Sequence, residues 1–240
     1  MNGYARYCPP NADARPYGAP CASNKVRVIP RDMKALTLLF SFGLIASNGN
    51  VVTFDNGPAG VEPAGWSFAA PTRGHAPQWR VVKDTSAPTQ PNVLAQVSRD
   101  GDERCPIAIY DRLTVENGDF QVRIKPVSGR DDRSGGVVWR YQDPNNYYLV
   151  RLNALTNDIV LFKVEKGVRS QLSAPVAHDI PSNAWSILKV SVRGNRFQVY
   201  VNHRRVLQGV DSTFRAPGKV GLWTAPDSIT YFDDFRAYPK

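Results

Sequence analysis

From Val51 onward, apolar and polar residues alternate in short runs bounded by Gly, Pro, Asn and Asp. That is the pattern of half-buried strands joined by turns. Phe120, Val122 and Ile124 alternate with Gln121, Arg123 and Lys125, and Leu188, Val190 and Val192 with Lys189, Ser191 and Arg193. After a Gly194-Asn195 turn, Phe197, Val199 and Val201 continue the period, and Val160, Phe162 and Val164 share a phase of their own. Further short strands are expected over 51–54, 65–69, 78–83, 92–97, 107–110, 159–164, 219–224 and 229–236, with another after Gly167. Arg204-Arg205 is read as a turn. No stretch keeps a helical period. The expectation is an all-β protein, a jelly-roll β-sandwich of two antiparallel sheets.

The run from Gly135 to Asn153, GGVVWRYQDPNNYYLVRLN, predicts a β-hairpin about Asp143-Pro144-Asn145-Asn146, four residues suited to a turn. With that loop, Gln142 pairs with Tyr147 and Val138 stands opposite Arg151. Val137, Trp139, Tyr141, Tyr148, Val150 and Leu152 then share an apolar face that belongs in the core. Val138, Arg140, Gln142, Tyr147, Leu149, Arg151 and Asn153 share the other face, where arginines, amides and an aromatic ring stand together.

The composition, 42% hydrophobic and 21% charged, can fill a core. The net charge is +9, but Lys and Arg are scattered among Asp rather than gathered in a stripe, so nucleic acid is not expected as a partner. Residues 1–32 are rich in Pro, Ala, Asn and Arg and read as a disordered extension or a start assigned too early. Met33-Lys34, the apolar run ALTLLFSFGLI and the small residues after it have the order of a signal peptide over 33–49. The sandwich is then 50–240 and the product is exported, periplasmic or extracellular. No apolar run is long enough for a stable membrane span. Cys8, Cys21 and Cys105 match no zinc or redox spacing, and a cut after Gly49 leaves Cys105 alone.

GGVVWRYQDPNNYYLVRLNAL, then WSILKVSVRGNRFQVYVN (Trp185 to Asn202), GKVGLWT (Gly218 to Thr224) and YFDDF (Tyr231 to Phe235) resemble the concanavalin A-like lectin and glucanase superfamily. Within it they look most like the bacterial 3-keto-disaccharide hydrolase-like domain. The resemblance covers roughly Val51 to Lys240. It implies two stacked sheets, one of them curved, with carbohydrate chemistry on the concave side: an oligosaccharide or keto sugar, cleaved by hydrolysis or elimination at a 3-keto glycoside, with a non-catalytic carbohydrate-binding module as the alternative.

Sugar recognition needs planar hydrogen-bonding groups for hydroxyls and aromatic faces for apolar ring faces. Arg140, Gln142, Tyr147, Arg151 and Asn153 offer that set, and Trp223 is a further candidate. Catalytic residues are not assignable. The glutamates, Glu62, Glu103, Glu116 and Glu165, do not form the Glu-x-Asp-x-Glu strand of laminarinase-like relatives, so that retaining reaction is not expected. His75, His178 and His203 fall in turns or loops. No cofactor for chemistry is expected. Several concanavalin A-like sandwiches carry a structural calcium where the first and last strands meet; here that resemblance points to Asp55 and Asp234, with backbone carbonyls completing the oxygen set calcium requires.

Overall fold

The computed structural model describes residues 49–71, 76–98 and 105–240. The expected extension (1–32) and all of the expected leader except Gly49 lie outside the described residues, as do His75 and Glu103. Among the described residues there is no helix, and hence none long and apolar enough to cross a membrane.

The described residues form sixteen strands. They begin with β1 (Asn50–Val52), β2 (Trp66–Ala69), β3 (Trp79–Lys83) and β4 (Asn92–Gln96). Longer strands come next: β5 (Ile107–Val115), β6 (Gly118–Ser128), β7 (Ser134–Asp143), β8 (Asn146–Asn153) and β9 (Asp158–Glu165). The short β10 (Val168–Gln171) and β11 (Val176–Ala177) lead to β12 (Ser186–Arg193), β13 (Arg196–Val201) and β14 (Arg204–Val210). The chain closes with β15 (Gly218–Thr224) and β16 (Ile229–Pro239). Arg204 and Arg205, expected in a turn, instead open β14, because the tight turn sits just before them, where Asn202 and His203 have φ of +47° and +68°.

The strands form two antiparallel sheets. Sheet A runs β14-β13-β12-β6-β16-β4-β3, with β1 added to β16; sheet B runs β10-β9-β8-β7-β15-β5-β2, with β11 added to β9. The period-two alternation turns one side of each sheet inward. Phe120, Val122, Ile124, Leu188, Val190, Val199 and Phe232 of sheet A meet Val137, Trp139, Tyr148, Val150, Leu152 and Leu222 of sheet B in one core. The inner half of the hairpin pattern thus packs as its alternation requires, except at Tyr141. Large buried aromatic side chains each remove 150–250 Å² from water and dominate such a core; Trp139, Tyr148 and Phe197 are in mutual contact, with centroids 4.8–5.6 Å apart.

The outer sides of the sheets differ. Sheet A is polar outside: Asp119 is shared by Arg193 and Lys189, and the buried Lys125 reaches Asp84 and Ser86 between the rings of Trp185 and Tyr231. Sheet B carries a second buried apolar cluster on its outer face: Ile107, Ile109, Val138, Tyr147, Leu149, Val160, Phe162, Val164, Trp223 and Ala225. Strands buried on both faces read as nearly continuous apolar runs, and the runs VVW and YYLV in β7 and β8 are of that kind.

Candidate functional site

The hairpin is tighter at its tip and looser behind it than the sequence suggests. Asp143 pairs with Asn146, so only Pro144 and Asn145 form the loop. The Asp143 carboxylate accepts from the Asn145 backbone N–H at 2.7 Å and from the Asn146 amide, an Asx-type closure. Four residues further back Trp139 pairs with Tyr148. Arg140, Tyr141 and Gln142 therefore stand opposite Tyr147 alone, and this bulge shifts the expected register by two. Arg151 faces Gly136, not Val138, which faces Leu149.

The bulge removes Arg140 from the predicted sugar face. Arg140 has φ of +48° and is 2% exposed. Its guanidinium donates to the carbonyls of Glu116 (3.2 Å), Gly194 (2.7 Å) and Phe214. Gln142 is exposed and donates to the Pro217 carbonyl at 3.1 Å. Both side chains are occupied in tying β7 to neighbouring loops. Tyr141, expected in the core beside Trp139, packs instead on Tyr147, 6.0 Å away, in the outer cluster.

The other four predicted site residues, Tyr147, Arg151, Asn153 and Trp223, do share the outer face of sheet B. One row across the sheet reads Val160, Arg151, Gly136, Trp223 and Ile107. Gly136 contributes no side chain between Arg151 and Trp223, and the Val150 carbonyl and the Leu149 side chain close over it. Trp223 and Tyr147 are 1% and 2% exposed. They form the backing of the site rather than open stacking faces. The Tyr147 hydroxyl is pushed up by burial, against a hydrogen bond with Trp223.

Arg151 is the centre of a mixed cluster. Its Nη2 donates to Asp158 Oδ1 at 2.8 Å, and its guanidinium lies 5.7 Å from the ring centroid of Phe162. Arg169, on the edge strand β10, lies 5.2 Å from the same ring. Asn153 donates to Asp132 Oδ1 at 2.6 Å and accepts from the Leu155 N–H. Asp132 belongs to the loop between β6 and β7, where the Asp227 carboxylate receives the N–H groups of Arg130, Asp131 and Asp132. Burial pushes the Asp132 carboxyl up and nearby Asp227 adds to this, while Arg151 and Arg169 pull it down. Among the described residues, Arg151 Nε is buried without a hydrogen-bond partner.

Two acids, two guanidinium groups and an amide thus converge beside one aromatic face. Guanidinium groups offer planar donors and carboxylates offer acceptors, so the pair can hold a diol from both sides. Asp132, Asp158, Phe162 and Arg169 were not singled out as site residues from the sequence. The signal for Phe162 was its phase with Val160 and Val164; a loop residue such as Asp132 carries no period at all.

The proposed calcium ligands have other partners. Asp234 is the extra residue of a bulge in β16, with φ of +50°. Its carboxylate receives Arg123 Nε at 3.0 Å and Arg236 Nη2 at 3.4 Å. Asp55 accepts the Asn92 N–H at 2.9 Å. A calcium ion here would have to displace two guanidinium groups, and six or more oxygens would be needed. As folded, this donor set does not fit the ion. Neighbouring Asp233 is fully buried and accepts from Thr89 N, Thr89 Oγ1 and Asp234 N.

No family model matches the chain. A stretch of 107 residues, 43% of this chain, is 33% identical to a levanase of Bacillus subtilis (strain 168), and the match spans 15% of the levanase's length. Among solved structures, the carbohydrate binding module CBM66 from Bacillus subtilis superposes with a TM-score of 0.55 at 22% identity, covering 71% of this chain and 93% of that one. A beta-glucanase of Bacillus licheniformis superposes with a TM-score of 0.50 at 13% identity, covering 78% of this chain and all of that one (100%). These likenesses show the fold: a jelly-roll sandwich of the concanavalin A-like kind, shared by carbohydrate-binding modules and glycosidases.

Proposed function

We propose that this chain is an exported carbohydrate-recognition domain that holds a sugar on the outer face of sheet B, between the Arg151–Asp158 pair and Asp132. The observation that carries this reading is the convergence of Arg151, Arg169, Asp132, Asp158 and Asn153 beside Phe162. Charge-assisted hydrogen bonds to hydroxyls are the stronger kind. The levanase match makes levan the first ligand to try. Calorimetric titration with levan oligosaccharides should show saturable binding that Arg151→Ala weakens. An equal heat of binding in the variant, or none in either protein across a panel of neutral oligosaccharides, would overturn the assignment.

A second reading, hydrolysis or elimination at a 3-keto glycoside, is favoured by the upward push on Asp132. Acid–base groups are often tuned in that direction by burial. Incubation with a 3-keto-disaccharide and detection of released monosaccharide separates the two: release that Asp132→Asn abolishes selects the enzyme. Export rests on the leader-like order of 33–49; mass spectrometry of protein exported by its host should find a start between Ala46 and Phe54.

A further inference from the structure

A cavity of about 320 Å³ opens at the β1 end of the sandwich, formed by residues that take no part in the cluster around Arg151. Its volume is at the lower end of the range for small-molecule sites. Phe54, Trp66 and Tyr110 make its aromatic wall, with centroids 5.7 Å apart for Phe54 and Trp66 and 5.3 Å apart for Trp66 and Tyr110. Thr53 and Asn56 add side-chain polar groups, and Arg112 completes the lining.

Arg112 is there because of a second bulge. Val220 pairs with Tyr110 and Lys219 with Thr114, so residues 111–113 escape the alternation of β5. The Arg112 side chain lies across Gly65, where a Cβ would come within 2.7 Å of Arg112 Nε. Gly65 has φ of +82°, and its carbonyl accepts the Asp111 N–H at 2.9 Å. The backbone at this point therefore requires glycine, and the glycine leaves the arginine its bed. Adjacent Asp111 is shared between Ser67 and Lys219. Among the described residues, the Arg112 guanidinium makes no hydrogen bond or ion pair.

We propose that this cavity is a separate site for an acidic sugar. The carboxylate is received by Arg112, whose planar fork matches carboxylate geometry. The sugar's apolar face meets the edges of Trp66 and Tyr110 that border the cavity, the rings being otherwise packed in the core, and ring hydroxyls meet Thr53 and Asn56. A neutral sugar would leave Arg112 without its anion, so the site discriminates by charge.

The test uses the full chain and intrinsic tryptophan fluorescence, titrated with glucuronate and galacturonate, and with glucose as the neutral control. At least one uronate should change the emission saturably, at concentrations where glucose does not. Trp66→Phe should remove that change. Arg112→Ala should raise the uronate Kd at least tenfold, with Arg112→Lys falling between. Levan oligosaccharides should not compete, which keeps this site's fate apart from that of the outer face. Equal response to glucose and uronate, an unchanged Kd in Arg112→Ala, or no saturable response to either uronate would overturn the proposal.

Discussion

Gly136 stands directly opposite Arg151 across the β7–β8 pair, with Trp223 on its other flank. A side chain at this position would enter backbone: a Cβ on Gly136 would lie 2.1 Å from the Val150 carbonyl oxygen. The close approach of the strands beside Arg151 therefore depends on glycine at this position. Gly136→Ala should destabilise the fold by about 3 kcal/mol, the upper part of the usual overpacking range. Urea unfolding followed by tryptophan emission measures it; a midpoint within error of the parent would show that the strands have room to part.

Arg151→Ala should separate binding from stability. Its ion pair with Asp158 is partly exposed, with side-chain exposures of 14% and 17%, so its loss should cost about 1 kcal/mol of folding free energy. Binding should fall by about 1.5–3 kcal/mol, the worth of a hydrogen bond to a charged group. Calorimetry with a levan oligosaccharide, run beside a thermal melt, reads both numbers.

The opposite split is expected for Arg140. Its guanidinium satisfies three carbonyls in a buried setting, and Arg140→Ala orphans them. A loss of about 3 kcal/mol is expected, visible as a lower urea midpoint. The folded fraction should titrate with sugar as the parent does. Weaker binding with unaltered stability would return Arg140 to the recognition surface.

Asp233 predicts a pH effect of definite sign. Burial, opposed by the hydrogen bonds from Thr89, pushes its carboxyl up to about 6 from the ordinary 3.8. Between those two values the folded chain holds a proton that the unfolded chain has released. Raising the pH strips that proton at the expense of the folded state, so this group's contribution to stability falls from about pH 4 to about pH 6 and is level above. Two pH units at about 1.4 kcal/mol each set the scale at roughly 3 kcal/mol. Urea midpoints of Asp233→Asn should show a smaller fall, the part left to Asp132, whose carboxyl is also pushed up by burial, whereas Asp84, Asp119 and Asp211, all held low, act below that window in both proteins. Parallel pH profiles for parent and variant would refute the assignment.

Much of the sandwich was legible because a strand with one wet face declares itself. Phe120 to Ile124, Leu188 to Val192 and Phe197 to Val201 alternate cleanly, and they form the inner face of sheet A. The hairpin was half legible. Its inner residues Val137, Trp139, Tyr148, Val150 and Leu152 obeyed the pattern, but the presence of Arg140 and Arg151 suggested a wet outer face. Val138, Leu149 and Tyr147, lying between them, are buried in the second cluster. What the alternation could not show was the bulge. Two extra residues in β7 leave the period on either side intact and change only the partner across the strand. That single shift moved Arg140 onto three carbonyls and brought Gly136 to Arg151. Asp132 and Arg169 reach the cluster from a loop and an edge strand, where no local pattern marks them.

The last strand has a consequence for the order in which the chain can be made. β16, residues Ile229 to Pro239, lies inside sheet A, between β6 and β4, and it also pairs with β1. During synthesis β6, β12 and β13 can zip together as soon as they emerge, but β1, β3 and β4 cannot join sheet A until β16 has emerged as well. Such non-local pairing is slow to form. The nascent polypeptide therefore stays open along the middle of one sheet until that strand is available.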